Sequence, residues 1–238
     1  MTALTLPGAD GSACDPAQPT ATGPCAVRLT AYDVIDYLQA PTGAIPLAGA
    51  TTTIDTCGRF VVTDATPPPF GFAALVVDDA PAATDARVPT VVALPTTSGV
   101  PAPPAPAYSL QRVSEQAWST TAGLTTGFAA RGAVMLTFRY HGQPVAGVQA
   151  RRASNTIPDD DYYFSDATAA RTAIAPAQAA TGASGAALVI NVATPQDYDG
   201  VGMAPPGCAW SHALAAAPAG SVMVQDKLAE SSAGVACP

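Results

Sequence analysis

Pro46-Leu47-Ala48-Gly49-Ala50 and Pro144-Val145-Ala146-Gly147-Val148 are near-copies of one phrase, and their recurrence decides the fold. In each copy proline fixes φ and removes a backbone donor, and a glycine three residues later permits a sharp change of chain direction. A strand-like run follows each: Ala50-Thr51-Thr52-Thr53-Ile54 after the first, Val148-Gln149-Ala150-Arg151 after the second. A Gly-centred turn then leads into an apolar run. In copy one this is Asp55-Thr56-Cys57-Gly58 before Arg59-Phe60-Val61-Val62, and in copy two Gly182-Ala183-Ser184-Gly185 before Ala186-Ala187-Leu188-Val189. A repeated strand–turn–strand unit predicts two copies of one small β module. The second copy carries an insertion, 153–181.

Around this repeat, the alternation of Val27-Arg28-Leu29-Thr30-Ala31-Tyr32-Asp33-Val34 predicts a half-buried strand. Phe72 to Val77, Val88 to Leu94, Ala133 to Tyr140, Ala187 to Val192 and Ser221 to Val224 complete the expected strands. Pro101-Ala102-Pro103-Pro104-Ala105-Pro106 reads as an extended spacer, and a helix is expected from Ser114 with Trp118 on its packed side. The sequence therefore predicts an all-β chain with a flexible N-terminal tether at 1–24 and a first β-sandwich at 25–98. A Pro-rich linker with one short helix at 99–130 leads to a second sandwich at 131–238.

Composition excludes several classes of function. The chain has 238 residues, 24 Pro, 20 Gly and a net charge of -8, and Lys227 is its only lysine. Binding to nucleic acid needs clustered Lys and Arg that displace counterions, and the only basic pair is Arg151-Arg152. No nucleic-acid partner is expected, and the same charge disfavours an anionic membrane surface. No stretch is long and apolar enough for a membrane span.

The five cysteines fall at 14, 25, 57, 208 and 237, with no C-x-x-C pair and with the two histidines, His141 and His212, far apart. That spacing matches no structural metal site, and no cofactor is expected. Disulfides Cys14–Cys25 and Cys208–Cys237 fit an oxidising compartment. Other pairings remain open, and Cys57 is then either free and buried or exchanged into one of those pairs. Met1-Thr2-Ala3-Leu4-Thr5-Leu6-Pro7 has neither the basic start nor the apolar length of a signal peptide. The expectation is a mature exported chain whose leader has been removed, located outside the cell or on a bacterial surface. A cytosolic chain with reduced thiols is the alternative.

Gly142-Gln143-Pro144-Val145-Ala146-Gly147-Val148 and Asp55-Thr56-Cys57-Gly58-Arg59-Phe60 resemble the two signatures of carboxypeptidase regulatory-like domains. These are G-x-P-[VL]-x-G-A-x-V and a T-D-x-x-G-x-[FY] turn. Copy one lacks the leading Gly-x, and copy two has Gly182 in the Asp place and Ala187 in the aromatic place. The resemblance implies Ig-like, transthyretin-like sandwiches of the kind found in secreted or lipoprotein-type bacterial surface proteins. It also implies a non-catalytic structural module and transfers no catalytic residue.

Gly182-Ala183-Ser184-Gly185-Ala186 comes within one residue of a G-x-S-x-G nucleophile elbow, but a β-like run follows where that elbow needs a helix. His141 and His212 each lack a nearby carboxylate at a telling spacing, so neither is assigned as a general base and no catalytic residue is expected. The ligand-binding candidates are Asp159, Asp160, Asp161, Tyr162, Phe164 and Asp166 in the insertion. Carboxylate oxygens suit calcium and aromatic faces suit a sugar, although the Gly and distal Glu of an EF-hand loop are missing. A solvated acidic loop, with Tyr163 turned into the core, is the simpler reading. The leading expectation is a non-enzymatic exported module for adhesion or assembly, with a protein or glycan partner. The alternative is carbohydrate- or calcium-dependent binding through 155–166.

Overall fold

A computed structural model describes residues 2–3, 27–49, 51–54, 59–63, 68–69, 71–79, 85–96, 107–152, 160–165, 171–190, 195–202, 204, 207–212, 214–231 and 237. The described chain is mostly β and divides into two units, Met1–Arg112 and Val113–Pro238. Among the described residues no helix is long and apolar enough to cross a membrane.

The first unit contains β1 (Thr2–Ala3), β2 (Val27–Asp33), α1 (Val34–Gln39), β3 (Thr51–Ile54), β4 (Arg59–Thr63), β5 (Phe72–Asp79), β6 (Arg87–Val88), β7 (Thr90–Pro95) and β8 (Leu110–Gln111). β5 lies between β2 and β7, all antiparallel. β4 lies between β1 and β3, and β6 pairs with β8. The period-two pattern of β2 buries Val27, Leu29 and Ala31. Val27 and Leu29 join Leu75, Val77 and Ala107 in a core that Val62 and Leu94 flank. Asp33 ends β2 one residue before the alternation predicts, because its Oδ1 accepts from the amides of Ile35 (2.8 Å) and Asp36 (3.3 Å) and so starts α1 at Val34. The run expected as one strand from Val88 to Leu94 is cut at Pro89, which has no donor for a ladder.

The second unit contains α2 (Arg112–Thr121), which begins at the boundary, α3 (Phe128–Arg131), β9 (Ala133–Tyr140), β10 (Gln143–Pro144), β11 (Gln149–Arg152), β12 (Asp161–Tyr163), β13 (Ala186–Ile190), β14 (Gln196–Val201), β15 (Cys208–Trp210), β16 (Leu214–Ala215) and β17 (Val222–Ser231). The single helix expected from Ser114 is thus α2, one of three short helices among the described residues, and Ser114 sits inside its first turn rather than at its cap. One sheet runs β12, β13, β9, β17, with β9 and β17 parallel, β10 folded back on β9 and β15 on β17. The other runs β11, β14, β16. Residues 133–138 of β9 are buried without interruption, so both faces of this strand are covered. Buried Glu115 joins α2 to α3: its Oε1 accepts from Ser119 Oγ and from the amide of Ala129, both at 3.1 Å.

The repeated phrase builds the same joint in each unit. Pro46 pairs with Tyr32 of β2, and the Leu47 amide donates to Ala31 O at 2.9 Å. Pro144 pairs with Arg139 of β9, and the Val145 amide donates to Phe138 O at 2.9 Å. Gly49 and Gly147 then take φ of 79° and 82°, and the chain passes from the β2 or β9 sheet into β3 or β11 of the other sheet. The second half of the sequence repeat is not equivalent, however. β4 pairs with β3, whereas β13 pairs with β9 and β12, and the partner of β11 is β14. The true counterpart of Gly185 is Gly71. Each amide closes a turn on the carbonyl three residues back at 3.0 Å (Pro68 O and Gly182 O), with φ of 70° and 63°. Each then opens a strand, β5 or β13, antiparallel to β2 or β9. An apolar run after a glycine does not reveal which strand it will pair with.

Gly185 lies beneath the second joint: a Cβ there would stand 2.7 Å from Phe138 O and 2.9 Å from Val145 N. Gly185→Ala is therefore expected to destabilise the second unit by about 2–4 kcal/mol. Gly142→Ala, also at positive φ but facing open space, should cost about 1–2 kcal/mol. Urea denaturation of the two variants checks the ranking.

Candidate functional site

The acidic-aromatic segment divides by the pleat of β12. Asp160 reaches Arg131 at 3.7 Å, and Tyr162 lies edge-on to Phe128 at 5.2 Å between ring centres. Burial, helped by the Asp160 charge, raises the Tyr162 hydroxyl pKa. Tyr163 turns inward: its Oη donates to Asp161 Oδ2 at 2.5 Å and accepts from the Ala150 amide at 3.0 Å, tying β12 to β11 of the other sheet. Phe164 is fully buried, edge-on to Trp118 at 5.0 Å, and bridges to Ile174. Asp160, Asp161 and Tyr162 are thus neighbours at one sheet edge, whereas Phe164 sits in the core. Asp159 and Asp166 lie outside the described residues. Among the described residues no three His, Cys, Asp or Glu side chains gather as a metal site.

A second constellation joins residues that are remote in sequence. Lys227, on β17, is fully buried; its ammonium donates to Ser211 O at 3.1 Å and faces Asp197 Oδ1 at 3.7 Å. Asp197, on β14 of the other sheet, bonds through Oδ2 to His212 Nδ1 at 2.6 Å. The His212 side chain is 65% exposed. Burial lowers the Lys227 pKa to about 8, against the opposing pull of Asp197 and Asp199. His212 therefore does have a carboxylate partner, fifteen residues earlier in the chain. Only the pairing of β14 with β16 and of β15 with β17 brings the two together, so no local spacing could reveal it. The solitary lysine was the one sequence signal available.

The remaining candidates have structural surroundings. Ser184 is buried, and its Oγ accepts from the Ala186 amide at 3.3 Å inside the Gly182–Gly185 turn. A strand follows that turn, so the geometry of a nucleophile elbow is not met. His141 takes φ 48° in the β9–β10 turn, its ring 4.0 Å from that of Tyr140. Arg151 and Arg152 face Asp199 and Tyr198 across the β11–β14 ladder. A disulfide joins Cys208, at the start of β15, to buried Cys237. Cys14, Cys25 and Cys57 lie outside the described residues.

No protein-family model matches the chain, and no curated protein does. Among solved structures, a mutant of the shaft pilin SpaA from Lactobacillus rhamnosus GG aligns at 15% identity over 92% of this chain and 95% of the pilin, with a TM-score of 0.24. The shaft pilin SpaA itself aligns at 11% identity over 90% and 94%, with a TM-score of 0.21.

Tyr163→Phe leaves the Ala150 amide buried without its acceptor and should cost about 1–3 kcal/mol. Burial, with the Asp161 hydrogen bond and charge, pushes the Tyr163 pKa far above that of a free phenol, and burial pushes Tyr198 to about 12. The unfolded chain ionises these phenols near pH ~10 while the folded chain keeps them protonated, so stability falls as pH rises above ~10. Denaturation from pH 9 to 12 should show this fall, shallower in Tyr163→Phe.

Proposed function

We propose that the chain is an exported, non-enzymatic structural module for adhesion or assembly, built as two tandem transthyretin-like β-sandwiches. The Cys208–Cys237 disulfide carries this reading, because such bonds persist in oxidising compartments. It fixes residue 237 to β15, whose Trp210 packs on Phe138 at 5.0 Å. Within the second unit, Tyr163 and Lys227 both reach from one sheet to the other, as facing layers require. Lysine scarcity and the net charge of -8 favour a protein or glycan partner over nucleic acid.

Thiol titration of native and denatured protein, with peptide mapping under non-reducing conditions, tests the reading. The expected result is at most one free thiol after denaturation, with a bridged pair of peptides containing Cys208 and Cys237. Five free thiols in protein purified without reductant from its native host would place the chain in a reducing compartment and overturn the proposal.

A further inference from the structure

We propose that Lys227 and Asp197 form a proton-operated latch that sets how tightly β14 is held against β17. The two strands belong to different sheets of the second unit, and the contact at 3.7 Å between them is made by the only lysine of the chain, fully buried. Nine arginines supply every other strong base. Arginine stays charged at any pH a protein meets, whereas a buried lysine can give up its proton. The latch position is therefore held by the one strongly basic side chain able to switch.

The charged groups around it come from each packed element. β14 contributes Asp197 and Asp199, and both charges act on the amine. The segment after β15 contributes Ser211 O as acceptor and His212, which binds the far oxygen of Asp197. The neighbour across the ladder on β9 is apolar Phe138. Asp226, next along β17, pairs with Arg139 at 3.2 Å, and Asp199 faces Arg151 of β11 in register. Among the described residues of the second unit, Asp197 is the carboxylate within ion-pair distance of the amine.

Below about pH 8 the amine is charged, and its burial then depends on Asp197, since a charge removed from water without a partner is costly. Above that pH the neutral amine needs no counter-ion, and the bond to Ser211 O can persist. An unfolded lysine ionises near ~10.5, so across the interval from about 8 to 10.5 the unfolded chain binds a proton that the folded chain lacks, and Lys227 makes stability rise with pH. Replacing Asp197 should accordingly be harmful at neutral pH and nearly harmless at pH 9.5.

The single lysine makes the test direct, because a chain labelled with 15Nζ-lysine gives one side-chain resonance. Its expected midpoint is near 8, lower still in Asp197→Asn. The unfolding constant of Asp197→Asn should exceed wild type by about tenfold or more at pH 6.5 and converge on it at pH 9.5. A wild-type midpoint near ~10.5, or an Asp197→Asn penalty equal at both pH values, overturns the latch. Should Asp197→Asn fail to fold, Lys227→Met decides: the latch requires it to abolish the rise in stability between pH 8 and 10, and an unchanged rise contradicts it.

Discussion

A single backbone hydrogen bond, made once in each unit, governs how this chain is layered. Leu47 and Val145 each donate to the carbonyl of a strand residue just behind the proline bridge. Proline cannot prolong the ladder on its own nitrogen, so pairing continues for one more amide and then stops. The glycine two residues further on turns through the left-handed region, which other residues enter at a cost. The next strand must therefore start in a different sheet. Gly185 packs directly beneath the second joint, so strand β13 and the joint constrain one another through close backbone approach.

Once the two sheets of the second unit are set by this joint, buried polar groups determine how they are held. Tyr163 satisfies the Ala150 amide, and Lys227 reaches Ser211 and Asp197. These contacts are more specific than apolar packing, because each leaves an unsatisfied group if the sheets slide. The disulfide from Cys208 fastens residue 237 to the strand carrying Trp210. Together these contacts fix the two sheets of the second unit in one register.

Proline and glycine made the joint legible in the sequence, because their backbone limits do not depend on tertiary context. β9 was equally legible, since its apolar run is long and β-branched residues suit strands. β14 was not: Gln196-Asp197-Tyr198-Asp199-Gly200 looks like an exposed loop, yet it forms the centre of a three-stranded sheet. The later half of β17 was obscured in the same way, because Gln225-Asp226-Lys227 ends the apolar signal while the ladder continues. The lysine cluster depends on both of these strands, so it could not be assembled from local pattern. Pairing was the other gap, since the run after Gly185 fits a hairpin with β11 as well as it fits the observed place beside β9.

Amide hydrogen exchange at Leu47 and Val145 tests the shared joint most directly. Both amides should be protected to the same degree as those of β2 and β9, because each is bonded into the strand behind it. Exchange of either at the rate of an open loop would show that its joint is not formed and that the two units do not share this construction.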